Sequence, residues 1–169
     1  MADPDDNDAM TAGELGILAR RRIEAAIIAP IYDEMRKAIG EEKAREILRN
    51  AIRRAAIEAG ADMASRLSGE ADLESFKAIL HLWTKDDALT IEVLDDTPGV
   101  LDFNVRRCRY AETYRAMGLG DIGDILSCNR DGAFCEGYDP RIKLTRTQTI
   151  MGGASHCDFR YRCDPPKQR

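Results

Sequence analysis

The chain has 169 residues, 44% of them hydrophobic and 33% charged, with a formal net charge of -5. That length suits a single domain, and that apolar content can bury a core without disulfides or metals. Much of the negative charge sits in Asp3, Asp5, Asp6 and Asp8; the remainder is nearly neutral, so no nucleic-acid footprint is expected.

Residues 1–11 read as a disordered acidic tail. They lack the basic and apolar regions of a secretory signal. No apolar run reaches the roughly 20 residues of a membrane helix. The expectation is a cytoplasmic protein without a membrane partner. Its five cysteines are then expected as thiols, metal ligands or nucleophiles rather than a disulfide framework.

A helix is predicted from about Thr11 to Ile39, with Leu15, Leu18, Arg22 or Ile23, Ala26 or Ile27, Ile31, Met35 and Ile39 on one face. Pro30 predicts a kink or two abutting helices. A second helix runs from Glu41 to about Leu67, its apolar face rich in alanine. A third starts at Asp72, a plausible N-cap, with Leu73, Phe76, Ile79, Leu80 and Trp83 inward.

The period then changes from 3.6 to 2. Leu89, Ile91 and Val93 alternate with polar residues, and Leu101, Phe103 and Val105 do the same after a turn through Pro98-Gly99. Those two strands form a predicted antiparallel hairpin. Short helices follow at Ala111–Met117 and from Asp121 to about Phe134. A third strand is read over Ile142–Ile150, a turn at Gly152-Gly153, and a last strand through Cys157, Phe159 and Tyr161. Residues 164–169 read as a frayed end. The predicted fold is α+β: an N-terminal helical half packed on a four-stranded antiparallel sheet of two hairpins, one domain over 12–163.

Candidate chemistry lies in the second half. Cys128, Asp131 and Cys135 are spaced three and four apart, so on a helix they face one way. Buried thiols beside a solvated aspartate would show the same spacing. Cys157 points with Phe159 and Tyr161 toward the core side, as either a packed thiol or a nucleophile. His156 and Asp158 flank it on the opposite face. Arg146, central in the predicted third strand, shares a side with Leu144 and Ile150. An inward arginine needs a carboxylate or a bound anion; one at a sheet edge can instead reach solvent. No C-x-x-C pair is present, which argues against a structural zinc site. No nucleotide-binding or serine-hydrolase motif occurs, and no cofactor is expected.

The C-terminal third resembles the L-2-amino-thiazoline-4-carboxylic acid hydrolase family. The resemblance rests on Cys108-Arg109-Tyr110, Met117-Gly118-Leu119, the run Ile125 to Asp131, and Arg146 to Gly153 followed by Cys157-Asp158-Phe159-Arg160. It implies a hydrolase that opens a small cyclic amidine or amide. Cys157 is then the nucleophile, with Cys128 as its alternative, and Asp131 moves protons. Arg146 holds a substrate carboxylate and lowers the thiol pKa as a nearby cation. Tyr110, His156 and Asp158 complete the candidate substrate contacts. The implied partner is a small cyclic carboxylate; homo-oligomerisation stays open. A non-catalytic small-ligand or metal-binding module is the alternative.

Overall fold

The structure, a computed structural model, describes residues 15–163; the expected tails at 1–11 and 164–169 lie outside the described residues. Two long helices, α1 (Ile17–Ile39) and α2 (Glu41–Ser65), meet at Gly40. α1 continues through Pro30 as one helix. Pro30 is exposed, so water can take the carbonyl that the ring leaves without its helical partner.

The buried face of α1 differs from the predicted stripe. Ala25 and Tyr32 are buried with Ile17, Leu18, Ile28 and Met35 beside them, whereas Ile23, Ile27 and Ile31 are more than half exposed. The helix carries two apolar stripes, and the inner one contains the alanine that permits close approach to the neighbouring helices. This rotation brings Arg21 and Glu24 to partly buried positions that the isoleucine stripe would have turned away.

α3 (Leu73–Ile79) begins as expected at Asp72. Its carboxylate accepts from the Ser75 amide at 2.8 Å, and the Ser75 hydroxyl accepts from the Asp72 amide at 2.9 Å, a reciprocal cap. A short α4 (His81–Thr84) leads to β1 (Leu89–Thr97) and β2 (Val100–Cys108). Gly99, at φ 77°, takes the left-handed turn position that glycine occupies without steric cost. α5 (Arg109–Ala116), a π-helical turn (Asp124–Cys128) and α6 (Asn129–Tyr138) precede β3 (Ile142–Thr145) and β4 (Cys157–Cys163). All strand pairs are antiparallel, in the order β1-β2-β4-β3. The fold is α+β, with a helical N-terminal half and a sheet of two hairpins.

β3 is shorter than predicted, and Arg146 lies just past its end. The Thr-alternating run to Ile150 imitates a strand, but its amides bond elsewhere. Thr147 and Gln148 donate to the Asp158 carboxylate at 3.0 and 2.9 Å, and Ile150 donates to Cys157 Sγ at 3.2 Å. Two side chains at the start of β4 thus replace the backbone ladder.

The inner sheet face carries Leu101, Phe103 and Val105 of β2 opposite Tyr161, Phe159 and Cys157 of β4, all buried. Phe103 and Phe159 stack at 4.9 Å. Phe76 of α3 and Phe134 and Tyr138 of α6 cover this face. α2 lies against α6, and two glycines set that distance. A Cβ on Gly60 would overlap the Phe134 carbonyl, and one on Gly137 would overlap the Ile57 carbonyl. Backbone cannot give way as a flexible side chain does.

Gly60→Ala and Gly137→Ala should therefore each destabilise the protein by about 1–3 kcal/mol. Gly132→Ala, in the same helix but with nothing within 4 Å of the added atom, should stabilise it by about 0.5–1 kcal/mol. Urea unfolding of the three variants checks the contrast; equal effects would remove the glycine crossing as the determinant of helix spacing.

Candidate functional site

A cavity of about 470 Å³ opens between the inner sheet face, α6, the α3–α4 corner and the start of α1. Phe76, Trp83 and Phe134 form one wall, with Trp83 edge-on to Phe134 at 5.1 Å. Phe103, Phe159 and Tyr161 form the sheet wall. Such a lining suits the flat, mostly apolar body of a small ring compound.

Into this apolar space project Cys108, Cys128, Cys157, Asp131, Arg146 and Tyr110. Cys108 ends β2, and its Sγ accepts from the Ala111 amide at 3.4 Å, capping α5. Cys128 closes the π-helical turn. Such turns occur often at functional sites, because the extra residue re-aims the side chains that follow. Asp131 stands in the first turn of α6. Cys157 opens β4 opposite Val105. Five of the predicted residues, Tyr110, Cys128, Asp131, Arg146 and Cys157, thus line one cavity. Cys135 does not: it is buried in the core beneath the sheet.

Arg146 points inward. It donates to Asp131 Oδ2 at 2.5 Å and to the Cys128 carbonyl at 2.9 Å. Its guanidinium also lies over the Phe159 ring, 4.9 Å from the centroid, a favourable cation–π position. Asp131 is 24% exposed on its side chain. That exposure faces the cavity, and burial raises its pKa against the pull of Arg146, Arg21 and Arg130. A carboxyl raised in this way can accept a proton more readily than a solvated one.

The thiols are all pushed up. Burial takes Cys128 to about 12 with the Asp131 charge adding to it, and takes Cys108 to about 11. Burial also raises Cys157, against the Ile150 amide and the Arg146 charge. The expected thiolate-lowering effect of Arg146 is present but smaller than desolvation. Each thiol therefore holds its proton at neutral pH, and a nucleophilic role requires a base nearby.

The remaining predicted contacts divide. Tyr110 lines the cavity and donates to the Trp83 carbonyl at 3.2 Å. Asp158 and His156 do not line it. Asp158 organises residues 147–148: burial opposes, but the Thr147 hydroxyl and the Gln148 and Thr147 amides hold its carboxyl down to about 2. His156 Nδ1 bonds Ser155 Oγ at 2.9 Å and meets the side-chain Nε2 of Gln148 at 3.2 Å.

Sequence reading missed Arg21, Glu24 and Arg130. Glu24 accepts from Arg21 at 2.8 Å and from Arg130 at 3.1 Å, and both arginines line the cavity. They stand in charged runs that resemble solvated faces. The available signal was the alternative stripe of α1 through Ala25 and Tyr32. Among the described residues, no three His, Cys, Asp or Glu side chains gather as metal ligands. No described helix is long and apolar enough to cross a membrane.

Among solved structures, the chain is similar to the crystal structure of the phenol-responsive sensory domain of the transcription activator PoxR with phenol. The TM-score is 0.51 at 16% identity, covering 87% of this chain and 76% of that one. That likeness concerns the fold. No curated protein matches. The sequence model of the L-2-amino-thiazoline-4-carboxylic acid hydrolases matches residues 20–161, nearly the whole described chain, and the protein belongs to that family.

Proposed function

We propose that the protein is a hydrolase that opens a small cyclic amidine bearing a carboxylate, with Cys157 as nucleophile and Asp131 as proton carrier. The observation that carries this reading is a shared cavity: three thiols, Cys157 among them, and a carboxyl of raised pKa line one space with apolar walls, in a chain of a hydrolase family. Asp131 takes the proton of the Cys157 thiol as Sγ attacks the amidine carbon. It returns that proton to the ring nitrogen. The exocyclic amino group then forms a double bond to the carbon and gives up one proton, which Asp131 carries to the ring nitrogen, and the ring C–N bond breaks to release a primary amine. Water then attacks the same carbon; the thiol departs and regains a proton. The net change is addition of one water and cleavage of one C–N bond. Arg146 fixes the direction of the Asp131 carboxylate and supports charge that develops beside it.

Cys157→Ser alters one buried atom. Turnover of L-2-amino-thiazoline-4-carboxylate should fall by at least about a thousandfold, while stability changes by about 1–2 kcal/mol at most. Cys128→Ser, the rival thiol, should keep most of the activity. Near-parental turnover by Cys157→Ser contradicts the assignment, and loss of activity in Cys128→Ser alone exchanges the two roles.

The pH dependence follows from Asp131. It must be ionised to accept the thiol proton, so kcat/KM should fall with decreasing pH through its raised pKa. That acid limb should lie above the roughly pH 4 of an ordinary carboxylate. Arg146→Gln removes a cation that favours the ionised form, so the limb should move to still higher pH. A limb in the ordinary carboxylate range, or one that Arg146→Gln does not move, excludes Asp131 as the base.

A second reading is ligand binding without catalysis. Three protonated cavity thiols and stacked aromatic walls favour it, as does the likeness to a sensory domain solved with phenol. Thermal stabilisation by phenol together with no hydrolysis of the thiazoline would select this reading.

A further inference from the structure

The cavity wall holds more positive than negative charge, and part of that surplus sits in one cluster. Arg146 and Asp131 balance one to one. Beside them Arg21 and Arg130 both end on a single carboxylate, Glu24. In this cluster three guanidiniums meet two carboxylates; Arg20, Arg66, Lys85 and Asp62 also line the cavity. The pair on Glu24 is well enclosed: the Arg21 side chain is 17% exposed and that of Arg130 13%. Enclosed charge of one sign without a full complement is costly. Arg130 registers that cost, since burial and then the Arg21 charge lower its pKa to about 10.

The geometry suits an anion. Arg130 Nε donates to the Leu126 carbonyl at 2.7 Å, which fixes the direction of its fork. Arg21 reaches both Glu24 oxygens at 2.8 Å from one nitrogen. A guanidinium has more N–H donors than these acceptors occupy. Arg21 and Arg130 line the same cavity as Cys157 and Asp131, and their charges act on the Asp131 carboxyl, so an anion held between them shares the space of the reacting groups. Arg146 is the poorer anchor, because Asp131 and the Cys128 carbonyl already engage it.

We propose that Arg21 and Arg130, the two arginines that share Glu24, bind the carboxylate of the ring substrate, and that Arg146 does not. This rests on the cavity being the site of a cyclic carboxylate, as proposed above, and it adds the specificity determinant. Decarboxylated or amidated rings lack the group that neutralises the surplus charge.

The test uses two rings of nearly one shape that lack the amidine carbon, the aromatic thiazole-4-carboxylate and its neutral carboxamide, titrated calorimetrically into the full chain. The parent should prefer the carboxylate by about tenfold or more, the scale of a charge-assisted hydrogen bond. Arg21→Gln and Arg130→Gln should each bring that ratio close to one with carboxamide affinity unchanged, and Arg146→Gln should preserve it. Glu24→Gln removes the competing carboxylate and should raise the ratio several-fold. Such a gain distinguishes anion binding from general damage to the fold, which only weakens binding. Equal binding of both rings by the parent overturns the carboxylate assignment and leaves the hydrolase reading standing. Retention of the preference in both arginine variants, or its loss in Arg146→Gln alone, does the same. Binding of neither ring overturns this assignment together with the reading it rests on.

Discussion

A salt bridge inside an apolar cavity, Asp131 to Arg146, is the interaction around which the second half of the molecule is organised. A lone carboxylate at that depth would be protonated, and a lone guanidinium would carry a large desolvation cost. Together they persist, and the pair ties α6 to the segment following β3 across the cavity. It also sets the chemistry. Burial raises Asp131 against three nearby arginines, so the carboxyl sits between a fixed counter-ion and a group able to take a proton.

That pair depends on where α6 stands. Gly60 and Gly137 let α2 and α6 approach to backbone contact, which leaves the aromatic side of α6 to cover the sheet. The cavity is the space left where α6, the α3–α4 corner and the sheet do not meet. Phe76, Trp83 and Phe134 wall it rather than fill it. On β4, strand alternation turns Cys157 inward with Phe159 and Tyr161. Its neighbour Asp158 faces the other way, where it gathers the amides of Thr147 and Gln148. One residue thus faces the cavity and the next holds the loop that carries Arg146.

Where one physical signal dominated, the sequence was readable. The change of period near Leu89, the Asp72 cap and the Pro98-Gly99 turn each rest on local chemistry, and each stands in the structure. Cys128, Asp131 and Cys157 were likewise reachable from spacing and alternation. What was not readable came from competition between signals. On α1 the isoleucines outweigh Ala25 and Tyr32 in hydrophobicity, yet close helix packing selects the smaller stripe, and with it Arg21 and Glu24. The alternating threonines before Ile150 look like a strand, but the Asp158 carboxylate and the Cys157 sulfur take the amides that a ladder needs. The thiol pKa values depend on burial, which pairwise reasoning about Arg146 could not weigh.

The proposed reading has this enclosed, aromatic-walled space open a ring and the second reading has it only hold one, and the two differ in whether a thiol forms a bond. The most direct measurement is rapid acid quenching during turnover of L-2-amino-thiazoline-4-carboxylate, followed by peptide mass spectrometry. The expected result is a ring-opened adduct on the peptide that carries Cys157, rising and decaying with turnover, and no adduct on the peptide that carries Cys128. Steady hydrolysis with no thiol adduct at any quench time, or with the adduct confined to Cys128, would contradict it.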